Sequence, residues 1–266
     1  MSATGSGAAG TDSWQPDQYA RFAAERRQPF DELVGLCRPA GGGVVYDLGC
    51  GTGVLTAELP ARLDAGLVVG QDTSEAMLAQ APTAERARFE VGDLRQFTPA
   101  EPPAIIFSNA ALHWVDDHAG VLGHWRDRLV PGGQIAVQVP TNTDHPAYAL
   151  ASNLATELAD WFPHGPPELP TMTVAAPEYY AQVLHDLGAT ETYVALRVFT
   201  HLLDSTAEVT EWIKGTALNP FRTALGDERF ADFERAYTER LIAEQGDRRP
   251  YLFTFKRILM WAQFES

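Results

Sequence analysis

Short apolar runs recur along the first half of the chain, at 44–47, 67–71, 88–92, 104–108 and 134–139. Stretches such as "AIIF" and "IAVQV" lack the apolar–polar alternation of a half-exposed strand, so each run reads as a strand buried on both faces. Helical spacing falls between them, around 53–63, 74–80 and 118–129. Strand and helix alternating at this cadence predict right-handed crossovers and a doubly wound, mostly parallel α/β sheet. Upstream, Tyr19, Phe22, Phe30, Leu33 and Val34 recur at three- and four-residue spacings, predicting a helical stretch over 14–37 that Pro29 divides in two.

After Pro140 the cadence changes. Residues 146–163, 177–188 and 206–244 read as helical, and 191–203 and 251–264 as two longer strands that close a seven-stranded sheet. The expected organisation is a disordered tail over 1–13 and an N-terminal helical lid over 14–40. A ligand-binding core follows over 41–140, then helical insertions with the closing strands over 141–266.

Composition narrows the possible partners. The 266 residues carry a formal net charge of −15, which disfavours nucleic acid and anionic membranes as partners. No apolar run reaches a membrane-spanning length of about 18 residues, and the first residues lack the basic and apolar regions of a secretory signal. The two cysteines, Cys37 and Cys50, show no metal-site or disulfide spacing and read as reduced thiols of a cytoplasmic protein. A monomer or small homo-oligomer acting on a small molecule is expected.

Chemistry concentrates in "VVYDLGCGTGVLTAEL". Three glycines, Gly49, Gly51 and Gly53, follow the first strand where it hands over to a helix. Glycine permits a sharp turn and close approach of a ligand to the backbone, and the crevice beyond such strand ends is where open α/β sheets bind ligands. Asp47 ends the first strand, Asp72 the second in "VVGQD", and Asp93 the third in "VGD". Asp72 is placed to accept hydrogen bonds from a ribose diol, and Asp93 from an exocyclic amine. A nicotinamide dehydrogenase shares the glycine loop and the second acid, but its third glycine belongs at position 54, where this chain has valine. An acid immediately before the loop suits a cationic ligand better than a pyrophosphate, which points to S-adenosylmethionine.

"DLGCGTG", "GQDTS", "VGDL", "FSNAALHWVDDH" and "LVPGGQIAVQVP" together resemble the class I S-adenosylmethionine-dependent methyltransferases. More narrowly, "WQPDQYARFAAERRQPFDEL", "SNAALHWVDDH", "PEYYAQVLHDLGA", "EWIKGTALNP" and "FTFKRILMWAQ" resemble the trans-aconitate 2-methyltransferase family. The resemblance implies that Asp47, Gly49, Gly51 and Gly53 shape the methionine and sulfonium side of the pocket, Asp72 with Thr73 the ribose side, and Asp93 with Leu94 the adenine side. Asn109 and Ala110 would lie beside the methionine moiety, and Trp14 and Tyr19 would fold over it or simply pack. His113 and Trp114 would stand on the acceptor rim, His113 as a base, a substrate donor or a structural histidine. Arg257 matches a family position suited to binding an anionic acceptor. The family commonly has arginine before the proline of "GTALNP", whereas this chain has Asn219. A carboxylate ester is the expected product; a neutral or aromatic acceptor, or cofactor binding without catalysis, are the alternatives.

Overall fold

A computed structural model describes residues 23–167, 173–215 and 217–265. Seven strands form one sheet: β1 (Val44–Leu48), β2 (Leu67–Asp72), β3 (Ala87–Val91), β4 (Ile105–Asn109), β5 (Gly133–Pro140), β6 (Glu191–Leu203) and β7 (Tyr251–Phe264). Their order is β3-β2-β1-β4-β5-β7-β6. The first five pair in parallel, and β7 runs antiparallel between β5 and β6. The predicted strands match these to within a residue, with one difference. β3 lies at the edge and is half exposed rather than buried, because it has only one neighbour.

The eight α-helices among the described residues are α1 (Ala23–Leu36), α2 (Leu59–Arg62), α3 (Glu75–Leu78), α4 (His118–Arg126), α5 (Pro146–Glu157), α6 (Pro177–Asp186), α7 (Glu208–Lys214) and α8 (Asn219–Gln245). Pro29 does not divide α1, which runs through it. Conversely, the single helical stretch expected over 206–244 is two helices, and Gly226 (φ 72°) kinks the second.

Period-two alternation sends the sheet's apolar residues to two faces. On one face Val45, Val68, Ile105, Phe107, Ala136 and Trp261 pack against Phe30, Leu33 and Val34 of α1. On the other, Tyr46, Val69, Ile106, Val137 and Met260 pack against Trp125 of α4 and Leu184 of α6. A third cluster joins α5, α7 and α8 to Phe253 and Phe255 of β7, with stacked Phe221 and Phe233 inside it. The helical layer is thereby anchored on the strand that also carries Arg257.

Candidate active site

The glycine loop is held from below by β2. Gly49 and Cys50 donate their N–H groups to the Gln71 carbonyl at 2.7 and 3.0 Å, and Gly51 donates to Asp72 Oδ2 at 2.8 Å. Two of the glycines have no substitute. Gly49 (φ 81°) lies so close to the loop after β4 that a Cβ would stand 2.1 Å from that of Ala111, and at Gly53 (φ 69°) one would stand 2.3 Å from the Phe89 ring. Left-handed backbone and lack of space coincide there.

Asp47 is buried. Its Oδ2 accepts the Thr56 hydroxyl at 2.5 Å, while its Oδ1 has no partner among the described residues. Burial, aided by the nearby Asp72 charge, pushes the carboxyl up to about 7 despite the Thr56 hydrogen bond. Asp72 ends β2, half-buried, accepting from the N–H groups of Gly51 and Ser74 on separate oxygens; Thr73 lies between it and Ser74. Asp93 caps a short 3-10 turn. Its two oxygens take the guanidinium of Arg95 at 2.6–3.0 Å, which holds the carboxyl below its usual range. It therefore meets any ligand as one half of an ion pair. The Leu94 carbonyl beside it accepts the Trp125 indole N–H at 2.8 Å, tying this loop to α4.

Asn109 ends β4, its buried Oδ1 without a partner among the described residues. Ala110, next in the chain, sits at φ 57°, a left-handed conformation that costs an alanine energy and is typical of functional turns. The following 3-10 turn, Leu112–Trp114, carries His113 inward and leaves Trp114 47% exposed, the two rings 4.6 Å apart. His113 Nδ1 has no hydrogen-bond partner among the described residues; burial first, and then the Arg257 and His118 charges, push its pKa down to about 3.

Arg257 is buried in β7 over the Phe255 ring and donates from Nη1 to Gln138 Oε1 at 3.1 Å. Gln138 is itself the register partner of Asn109. Asp47 stands opposite Phe107, two residues before Asn109, and Arg257 opposite Pro140, two residues beyond Gln138, so Asp47, the Asn109–Gln138 pair and Arg257 follow a diagonal row near the C-terminal ends of β1, β4 and β5 and onto the adjoining β7, on the α1-covered face. The row changes sign along its length. Asp47 and Asn109 offer orphaned oxygens; Gln138 and Arg257 offer N–H groups.

Comparison with known proteins identifies this arrangement. A family model described as a methyltransferase domain matches residues 45–133. The chain is 37% identical over 258 residues to a trans-aconitate 2-methyltransferase of Deinococcus radiodurans, covering 94% of this chain and 98% of the relative. A Streptomyces avermitilis trans-aconitate 2-methyltransferase is 36% identical over 274 residues, covering 97% and 99%. The chain belongs to the trans-aconitate 2-methyltransferase family. Among solved structures, phosphoethanolamine N-methyltransferase 2 of Haemonchus contortus, in complex with S-adenosyl-L-methionine, superposes with a TM-score of 0.54 at 14% identity, covering 92% of this chain and 53% of that one. The YcgJ protein of Bacillus subtilis gives 0.54 at 14% identity, covering 91% and 99%. At these identities the likeness is one of fold, the class I methyltransferase sheet.

In this family member the structure gathers most of the residues singled out in the sequence at one sheet edge. Trp14 and Tyr19 lie outside the described residues. Asn219 opens α8, in the helical layer and not on the sheet. Three further cations of this half pair with the chain's own carboxylates: Lys214 with Glu234, Arg222 with Asp227 and Lys256 with Asp144. The sequence reading passed over Thr56 and Gln138, the hydrogen-bond partners of Asp47 and Arg257. The signal for Gln138 was present, a lone amide inside the apolar run "IAVQV" that only a buried polar partner or ligand would explain.

Proposed function

We propose that this protein transfers the methyl group of S-adenosylmethionine to a carboxylate oxygen of a small organic acid, trans-aconitate or a close relative. The change of sign along the buried row carries the reading. The residues present fit the donor: the glycine cradle admits it to the backbone, and the orphaned oxygens of Asp47 and Asn109 await a positively charged or N–H-bearing group. Bound there, S-adenosylmethionine supplies a methyl group already activated by the sulfonium charge. Asp72 presents carboxylate lone pairs on the ribose side, and the Asp93–Arg95 pair borders the adenine side.

At the other end of the row, Arg257 and the Gln138 amide are donors suited to a carboxylate. Such an acceptor is ionised at neutral pH and needs no base. His113 agrees with that: a group that protonates only near pH 3 is a poor general base for a phenol or an amine. It acts instead as a neutral hydrogen-bonding wall beside Arg257. The residues' task is alignment of the acceptor oxygen with the methyl group. The free thiols of Cys37 and Cys50 suit a reducing, cytoplasmic setting.

The test is transfer of labelled methyl to a panel of di- and tricarboxylic acids, amines and phenols. Acids are expected to take up label that mild alkali releases as methanol, with kcat level between about pH 6 and 9 because neither the acceptor nor His113 titrates there. Alkali-stable label on nitrogen or a phenol, or donor binding with no transfer to any acceptor, would overturn the proposal.

A further inference from the structure

Gln138 is fully buried, and its amide orientation is dictated by its partner. A guanidinium only donates, so the oxygen must face Arg257 and the NH2 must face away from it. That Nε2 has no partner among the described residues. An amide N–H buried without an acceptor is costly, which makes a ligand group its natural complement. Asn109 Oδ1 beside it is orphaned too, yet the two side chains, on register partners of the same face, do not bond to each other. Under the proposed function, this pair lies between the donor side at Asp47 and the acceptor side at Arg257.

We infer that Gln138 is the acceptor-selecting residue: its N–H group binds the acceptor's carboxylate, and its oxygen holds Arg257 beside that carboxylate without neutralising it. This deepens the proposal of an acid acceptor and rests on it. A neutral amide is the one side chain of this shape that donates to the ligand while accepting from the arginine. Glutamate would form an internal ion pair with Arg257 and lose the N–H group. Methionine keeps the length and offers neither function.

The test uses this chain and its Gln138→Glu and Gln138→Met variants, with trans-aconitate and its partial methyl esters, which keep a free carboxylate, as acceptors. Gln138→Glu is expected to raise the KM for the acid by about 30-fold, the worth of a hydrogen bond to a charged group, with a carboxylate set against the acid in its place. Its calorimetric Kd for S-adenosylhomocysteine should stay within about twofold, and its discrimination between acid and ester should collapse. Gln138→Met is expected to raise the same KM by about tenfold, which carries the test should glutamate prevent folding. A wild-type KM for the acid in the variants, or a KM and Kd weakened in equal measure, overturns the assignment of Gln138 alone. Failure of the wild-type enzyme to methylate any acid overturns the proposed acceptor class instead.

Discussion

Asp47 keeps one carboxylate oxygen on the Thr56 hydroxyl and leaves the other without a partner, in a site from which solvent is excluded. The ligand-free fold therefore holds a proton on Asp47 up to about pH 7, whereas the unfolded chain releases it near pH 4. Between those values the folded state binds more protons, so this group's contribution to stability falls as pH rises and is level above 7. A cationic donor needs the ionised carboxylate. Its affinity is expected to climb with pH to about 7 and then hold, measured as Kd by calorimetry. Asp47→Asn should remove that climb, weaken donor binding by about tenfold or more, and raise the melting temperature of the ligand-free protein at pH 8. An unchanged pH profile in the variant would contradict the role. The acids at the strand ends were legible in the sequence because each closes an apolar run. The orphaned oxygens were not, since they depend on which neighbours fold across them, and the Arg95 clasp on Asp93 is a two-residue contact that the separate reading of each strand end passed over.

The loops that join the parallel strands place these groups, and two tertiary contacts hold them. Gly53 packs against the ring of Phe89, on β3, and Trp125 of α4 reaches the Leu94 carbonyl. Gly53→Ala adds a methyl where there is neither space nor a suitable φ, and is expected to cost about 1–3 kcal/mol in denaturant unfolding while weakening donor binding. Trp125→Phe keeps much of the apolar volume but loses the indole hydrogen bond. A loss of about 1–2 kcal/mol is expected, with the melting temperature lower by several degrees. A wild-type unfolding midpoint in either variant would mean that the contact contributes nothing. Strands were read to within a residue because buried runs are bounded by their own composition. Helices were read less well, for reasons local to each. α1 tolerates Pro29, whose missing N–H costs one bond in a helix anchored by Phe30, Leu33 and Val34. In the stretch after Ser205 the helical periodicity persists across the break between α7 and α8, so periodicity alone shows no boundary there.

Across the whole molecule, the antiparallel β7 is the element that the proposed function makes the acceptor side of the sheet. It inserts between β5 and β6, sets Arg257 beside Gln138, and anchors the helical layer through Phe253 and Phe255. On the proposed reading the donor half belongs to β1–β4 and the acceptor half to β5 and β7. The two halves meet at the Asn109–Gln138 register pair. The measurement that bears most directly on this division is a set of four calorimetric or kinetic constants: affinity for S-adenosylmethionine without acceptor and KM for trans-aconitate, each in Asp47→Asn and Arg257→Ala. Asp47→Asn is expected to weaken the donor by about tenfold and leave the acid nearly unchanged; Arg257→Ala is expected to do the reverse, by about 30-fold or more. Equal losses of both ligands in both variants would contradict a site divided by charge.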